Sequence, residues 1–271
     1  MQMRPQPGRK WSLPDYVDWL QQSGRYTFLS QEARDECGLS PVAFKHAARR
    51  LVLQARLATP RRGFFVVVPL EYRSTGAPPP AWYIDALMKF HGRPYYVALL
   101  SAAALHGAAH QQPQEFQVVT DEVLRPATAG KNRLRFFFKK RAAQTLVTVV
   151  KTETGSMRVS SPEVTAVDLV RYPPAAGGLG NIVTVLSELA ERIDAERLVE
   201  AARAESDVAA AQRTGFLLDQ AGAAEKTEVL ARWIEERGPR TIRLRPERDV
   251  AGAVKSSRWR VLVNEQFEID E

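Results

Sequence analysis

The residues between positions 41 and 54 combine basic and small side chains at a spacing that suits the reading of DNA bases. At helical periodicity, one face of this stretch carries five outward positions: Val42, Lys45, His46, Arg49 and Arg50. Lys and Arg donors match the O6 and N7 acceptors of guanine in the major groove, and a Val side chain can contact a thymine methyl. Residues 39–70 contain no Asp or Glu that could neutralise these cations. The pattern therefore predicts a base-reading helix.

Capping residues predict where this helix begins and what precedes it. Ser40 is a favourable N-cap. Pro41 suits the first helical position, because an N–H at that position would form no intrahelical hydrogen bond. Residues 31–37 can form a shorter helix that ends at Gly38, and the apolar positions of residues 13–22 share one helical face. Ser40 is counted with the exposed face as a residue expected to contact DNA.

A basic hairpin follows the reading helix. Residues 55–59 and 64–68 read as two strands joined by Pro60-Arg61-Arg62-Gly63, in which Gly63 can adopt a positive φ. Helix, turn, basic helix and hairpin together predict a winged helix-turn-helix, whose second helix enters the major groove. Arg61 and Arg62 at the tip are expected to contact phosphate or a narrow minor groove. The alternative is a small helical domain with a solvated basic face.

The charge distribution and a proline-rich segment divide the chain of 271 residues. The net charge is +7, and residues 1–70 hold 11 basic and 5 acidic residues, whereas residues 71–271 hold 27 and 26. The excess positive charge thus lies in the predicted DNA-binding part, as an electrostatic footprint requires. We predict a winged helix-turn-helix domain over residues 1–70, a linker with three consecutive prolines over 71–81, and a second domain over 82–271.

Alternating apolar residues predict a mixed sheet, followed by helices, in the second domain. Strands are expected over residues 116–120, 134–138, 145–151 and 157–160, helices over 161–169, 181–192, 195–204, 208–221 and 226–237, and late strands over 242–244 and 259–263. The predicted fold class of the chain is therefore α+β, with a winged helix-turn-helix domain first and a mixed sheet-and-helix domain second.

A second basic stretch lies within that domain. Residues 123–152 contain eight Lys or Arg residues and no acid. Phosphate contact is one reading of this pattern, and the candidate second DNA-contact surface consists of Arg133, Arg135, Lys139, Lys140 and Arg141. The other reading is a solvated pair of strands whose Phe side chains belong to the core.

The sequence lacks the patterns of a metal site, a phosphate-binding loop or a catalytic nucleophile. His106 and His110 have helical spacing, but Gly107 interrupts them and no carboxylate lies between them as a zinc protease needs. We expect no enzymatic activity, no metal and no cofactor. The single Cys37 is expected in the core. No apolar run approaches the ~18 residues of a membrane span, and no signal peptide is evident, so we expect a cytoplasmic protein without a membrane partner.

Five segments, taken in order, resemble the AbiEi family of bacterial antitoxins. They are RRGFFVV, YYVALLSAAALHG, EFQVVT, VSSPEVTAVDLV and QRTGFLLDQAG, and the resemblance covers roughly residues 13–221. It implies a winged helix followed by an α+β antitoxin domain in an abortive-infection operon that defends against phage. Its implied partners are double-stranded operator DNA, expected to contain inverted repeats, and a nucleotidyltransferase-like toxin encoded beside it. It implies autorepression and toxin neutralisation, with or without direct toxin binding, and it supplies no catalytic residues.

Two further functions compete with that implication. A DNA-targeted nuclease would use Asp121 and Glu122 at the end of a strand, although no Glu/Asp-X-Lys follows within reach. A transcriptional regulator whose second domain senses a small ligand would use the same winged helix. Asp168, within VTAVDLV, is expected to be a helix-capping or buried hydrogen-bonding acid rather than a toxin-related residue.

Overall fold

The N-terminal part of the chain forms three helices and a three-stranded antiparallel sheet. The computed structural model describes residues 11–108 and 113–267, and His110 lies outside them. The elements are α1 (Leu13–Gln22), β1 (Thr27–Leu29), α2 (Ser30–Cys37), α3 (Pro41–Leu53), β2 (Leu57–Arg61) and β3 (Phe64–Val67). The strand order is β1-β3-β2, so the last strand of the hairpin lies in the middle of the sheet.

Local sequence signals fix the ends of α2 and α3. The Ser40 hydroxyl accepts the Ala43 N–H at 3.2 Å, and Pro41 is the first residue of α3, as the capping pattern predicts. Gly38 ends α2 with a φ of 63°, which a residue without a Cβ adopts at little cost. Strand β1 was not predicted, because its three residues are defined by pairing with β3 rather than by a local pattern.

Strand β3 is buried on both faces. Phe65 and Val67 pack into a core with α1, α2 and α3, which also holds the buried Cys37. The alternate residues Phe64 and Val66 pack into a different core, made with the first helix and the large sheet of the second part. Side chains alternate across a strand, so one strand can serve two cores at once.

The second part contains a six-stranded sheet, a group of helices and a small C-terminal sheet. Its elements are α4 (Ile84–His91), β4 (Tyr95–Val97), α5 (Leu99–Leu105), β5 (Glu115–Thr120), β6 (Ala127–Ala129), β7 (Asn132–Phe138), β8 (Val147–Thr152), β9 (Gly155–Ser160), α6 (Pro162–Arg171), α7 (Gly178–Leu189), α8 (Ala195–Glu205), α9 (Val208–Gln220), α10 (Glu228–Glu235), β10 (Ile242–Arg243), β11 (Val254–Ser256) and β12 (Val261–Val263). The predicted mixed sheet-and-helix architecture is confirmed.

The large sheet is mixed and has the order β6-β7-β5-β4-β9-β8. The β5–β7 and β4–β9 pairs are parallel, and the other neighbours are antiparallel. Its two faces belong to different cores, as neighbouring residues of β5 illustrate: Val118 packs with α4 and β3, whereas Val119 packs with α6 to α10. None of the helices in the described ranges is both long and apolar enough to cross a membrane.

The predicted linker is fastened to the sheet rather than extended between two bodies. Residues Leu70–Tyr72 and Pro80–Trp82 form short 3-10 turns. The Lys131 N–H donates to the Thr75 carbonyl at 2.7 Å, and the Asn132 side-chain amide donates to the Pro78 carbonyl at 2.7 Å. These bonds need a close approach of two backbones at Gly130, where a Cβ would overlap the Thr75 carbonyl. The domain boundaries stay predictions, but the segment between them is part of the packed structure.

The C-terminal sheet closes the helical core through one aromatic residue. Trp259 is buried, and its ring lies against Gly215 of α9 so closely that a Cβ on that residue would overlap it. The Trp259 indole N–H donates to the Asp219 carboxylate at 2.6 Å. The segment QRTGFLLDQAG therefore supplies two features for Trp259. Gly215 leaves room for the indole ring, and Asp219 accepts its hydrogen bond.

A buried polar network joins the helix-facing side of the large sheet to α6 and α8. The Tyr96 hydroxyl donates to Asp168 at 2.9 Å, and the Lys139 ammonium lies 3.4 Å from the other Asp168 oxygen. Lys139 also pairs with Glu205, which accepts a further bond from Arg171 at 2.7 Å. Burial raises the pKa of Asp168, although the Lys139 charge opposes the shift. Asp168 is thus the buried hydrogen-bonding acid that the sequence predicts.

A fragment that ends at residue 75 should be unstable. It would expose Phe64, Val66 and Val68, whose burial is worth about 1.5–3 kcal/mol each, a large share of the ~5–15 kcal/mol that stabilises a typical domain. We expect a broad unfolding transition or aggregation, measured by circular dichroism and size-exclusion chromatography. The same fragment with Phe64→Ser and Val66→Thr should be more soluble. A sharp transition in the unmodified fragment, at the stability of the full chain, would contradict the shared core.

Lys139→Met should destabilise the protein by about 3–5 kcal/mol, because it leaves the buried Asp168 carboxylate without a cation and Glu205 with Arg171 alone. Burial raises the pKa of Asp168, and loss of the opposing Lys139 charge should raise it further, so the penalty should be small near pH ~4–5 and grow towards neutrality. Urea unfolding at several pH values measures this loss of unfolding free energy. Lys140→Met is the matched control, since Lys140 is exposed. Equal stability of the two variants would rule out the network as a structural element.

Candidate nucleic-acid interface

The predicted reading face of α3 is exposed along its length. Phe44, Ala47, Ala48 and Leu51 are buried and attach the helix to α1 and β3. The opposite face leaves the five predicted positions in solvent: Val42, Lys45, His46, Arg49 and Arg50. Val42 is 65% exposed, which is more than a core role would allow. The helical period thus separates a packed stripe from a basic, solvent-facing stripe.

A groove runs between α3 and the tip of the β2–β3 hairpin. Its volume is about 1130 Å³, and its lining includes Arg34, Val42, Lys45, Arg49, Leu53 and Arg62. Cations therefore lie on both of its sides, from the helix and from the hairpin. Ser40 is exposed at the start of α3, where its hydroxyl is occupied by the N-cap bond.

Two acids of α1 and α2 are paired with arginines that do not belong to α3. Glu32 pairs with Arg25 and accepts a bond from the Tyr16 hydroxyl at 3.0 Å, and Asp18 pairs with Arg56. Across residues 11–108 and 113–267, no carboxylate forms an ion pair with Lys45, Arg49 or Arg62. The positive charge of the groove is therefore available to an external anion.

The structure places the two hairpin arginines differently. Arg62 is exposed, as predicted. Arg61 is not a free cation: its guanidinium donates to the Pro126 carbonyl at 3.0 Å and to the Arg125 carbonyl, and it lies over the Phe136 ring at 5.5 Å. Burial lowers its pKa. The prediction that Arg61 contacts DNA therefore has to be corrected, because its donors already bind the second part of the chain.

The candidate second surface does not form one patch. Lys139 was wrongly included, because it is buried in the network with Asp168 and Glu205. Arg133 and Arg135 alternate with Phe136 along β7, so they point to the face opposite the hairpin contact of Phe136. Arg135 also pairs with Glu115 at 3.4 Å. Lys140 and Arg141 are exposed past the end of β7, where Arg141 donates to the Ser206 hydroxyl at 3.0 Å.

Glu122 and His106, which were considered for other chemistry, have structural partners. Glu122 pairs with Arg93 at 2.7 Å, and the His106 ring lies 2.7 Å from the Ser160 carbonyl. Within the described ranges, no three His, Cys, Asp or Glu side chains come together as a metal site would need. Sequence reasoning missed Tyr96 and Glu205 as partners of Lys139, and Arg171 as the second cation on Glu205. No local signal could have found them, because they come from separate strands and helices.

The comparisons with known proteins agree on the second part of the chain. Residues 96–220, from β4 to the end of α9, match the family model of the AbiEi antitoxin C-terminal domain. Among solved structures, the crystal structure of RV2827C protein from Mycobacterium tuberculosis is similar, with a TM-score of 0.64 and 18% identity over 94% of this chain and 92% of that one. At this identity the likeness concerns the fold alone. No curated protein matches the sequence.

The family match contains the segments EFQVVT and VSSPEVTAVDLV entirely, and all but the ends of YYVALLSAAALHG and QRTGFLLDQAG. It also includes the buried network of Tyr96, Lys139, Asp168 and Glu205. Residues 96–220, called the AbiEi domain below, are thus similar to the C-terminal domain of AbiEi antitoxins.

Proposed function

We propose that the chain is a DNA-binding transcriptional autorepressor and the antitoxin of a nucleotidyltransferase-like toxin. The observation that carries the DNA-binding part is the basic face of α3, whose cations have no acidic partner and share a groove with Arg62. The antitoxin part is supported by the match of residues 96–220 to the AbiEi antitoxin domain.

The order α1-β1-α2-α3-β2-β3 supports a winged helix-turn-helix in this proposal. Helix α3 has 13 residues and is therefore roughly 20 Å long, with a basic face that suits the ~12 Å major groove. Lys45 and Arg49 would donate to guanine, Val42 would contact a thymine methyl, and His46 and Arg50 would flank them. Arg62 would contact phosphate from the hairpin, and Ser40 would lie near the backbone at the helix start.

The second part supplies the antitoxin function in this proposal. Its surface offers the exposed cations Arg133, Lys140 and Arg141, which could face either nucleic acid or the toxin. Expected partners are operator DNA with inverted repeats and the product of a toxin gene beside this one.

The two alternative functions are supported by fewer observations. The nuclease hypothesis is weakened at Glu122, because this carboxylate is paired with Arg93. A ligand-sensing regulator is the second candidate, because a cavity of about 600 Å³ lies between the fastened linker, α5 and the start of β7. A nucleotidyltransferase gene directly beside this one would favour the antitoxin.

Arg49→Ala should reduce affinity for the operator by roughly 1–3 kcal/mol and affinity for scrambled DNA by little, because it removes a base contact. Titrations against both DNAs at several salt concentrations measure this difference. Arg203→Ala, on the exposed surface of α8, is the matched control and should change neither affinity. If Arg49→Ala weakens both DNAs equally, α3 is not the base-reading helix.

A variant of α3 should lose repression of the operon while it keeps protection from the toxin. The double change Lys45→Ala with Arg49→Ala removes two exposed cations of α3 and leaves residues 96–220 untouched. We expect loss of repression of an operator–reporter fusion and retained growth when the toxin is co-expressed from an independent promoter. Loss of protection by a folded variant at normal protein levels would show that α3 also serves the antitoxin function.

A further inference from the structure

The two arginines at the hairpin tip differ in a way that matters for the proposed DNA binding. Arg62 is exposed and lines the groove beside α3. The neighbouring Arg61 turns the other way, and its guanidinium binds the carbonyls of Arg125 and Pro126, immediately before β6. One residue of the pair thus faces the groove, and the other faces the AbiEi domain.

We propose that Arg61 is a positioning residue, which fixes the hairpin to the AbiEi domain and thereby holds Arg62 in place for a phosphate. This inference rests on the proposed DNA binding. It replaces the simple expectation of two equivalent phosphate contacts at the hairpin tip with a division of roles between adjacent residues.

The contacts of Arg61 fit this role better than phosphate binding. A guanidinium can donate two bonds in a fixed planar geometry, and here both go to backbone carbonyls. The same group lies over the Phe136 ring at 5.5 Å, and Phe136 packs at the edge of the core shared with β3. To reach a phosphate, Arg61 would have to give up both bonds and this aromatic contact.

The hairpin tip is also held from its other sides. The Ser30 N–H donates to the Gly63 carbonyl at 2.9 Å, which ties the tip to the start of α2. The Phe64 and Phe90 rings lie 5.7 Å apart, which ties it to α4. Arg61 is the link to the segment before β6, and residues 125 and 126 belong to the matched family domain.

This link gives the AbiEi domain a direct influence on the groove. Any partner that moves the segment before β6 would move the hairpin, change the position of Arg62 and alter affinity for DNA. The coupling works through two hydrogen bonds and one aromatic contact, so a single substitution can interrupt it.

Three variants of the full chain separate positioning from phosphate contact when DNA affinity is measured against salt. Arg62→Ala should lower the slope of log affinity against log salt by ~0.9. Arg61→Ala should lower affinity for DNA by about 3- to 10-fold, because the hairpin loses the hydrogen bonds of a charged donor that hold Arg62 in position. It should leave the slope of log affinity against log salt unchanged, because Arg61 itself contacts no phosphate. Arg61→Lys keeps the charge but loses the planar geometry, so it should resemble Arg61→Ala. A fall of ~0.9 in the slope for Arg61→Ala, with wild-type affinity in Arg61→Lys, would overturn the proposal.

A measurement without DNA tests the positioning role of Arg61 separately from the proposed DNA binding. Hydrogen exchange of the β2, β3 and β6 amides should accelerate by about 10-fold in Arg61→Ala, because the hairpin opens locally more often. The rates should stay at the wild-type value in Arg62→Ala. If the wild-type chain shows no salt-dependent DNA binding, the proposed function fails, and this exchange difference still decides whether Arg61 fixes the hairpin. Equal exchange in both variants would refute the positioning role.

Discussion

Strand β3 has no solvent-facing side, and the position of the whole N-terminal part depends on this. Phe65 and Val67 belong to the core under α1, α2 and α3, and Phe64 and Val66 belong to the core shared with α4 and the large sheet. A shift of register by one residue would exchange the two sets, so the packing allows one register. The Phe44 ring of α3 lies 5.4 Å from that of Phe65, which fixes the direction of the basic face relative to the AbiEi domain.

Neighbouring basic residues of this chain differ in environment: one is paired within the protein, and the next is exposed. Lys139 is buried and paired with two carboxylates, whereas its neighbour Lys140 is exposed. Arg61 donates to backbone carbonyls, whereas Arg62 lines an open groove. A buried charge without partners is costly, and both Lys139 and Arg61 are matched within the protein. The exposed cations of α3 have no such match and can therefore serve an external anion.

The parts of the fold that local chemistry determines could be predicted from the sequence. The Ser40 cap, the buried stripe of α3 and four of the six strands of the large sheet all follow from spacing and turn residues. The roles of Lys139 and Arg61 could not be predicted, because they depend on partners from distant elements, such as Glu205 and the Pro126 carbonyl. A basic residue in an acid-free stretch carries no local sign of whether it is buried.

The same reasoning explains why a proline-rich segment was expected to separate two domains. Three prolines exclude a helix or a central strand, but the Thr75 and Pro78 carbonyls accept bonds from residues more than fifty positions away, which no local pattern reveals. The outcome is a short segment fastened along the sheet edge. The AbiEi domain, matched over residues 96–220, therefore adjoins the N-terminal part through packed residues.

The central claim, that the two parts form one packed body through β3, is tested most directly by equilibrium unfolding of 5-fluorotryptophan-labelled protein followed by fluorine NMR. Four of the five tryptophans report on the two parts: Trp11 and Trp19 border the N-terminal core, and Trp233 and Trp259 lie in the helical core. The shared core predicts one urea midpoint and one slope for all four signals, as a single cooperative transition requires. Loss of the native Trp19 signal at lower urea, with Trp259 still native, would contradict it.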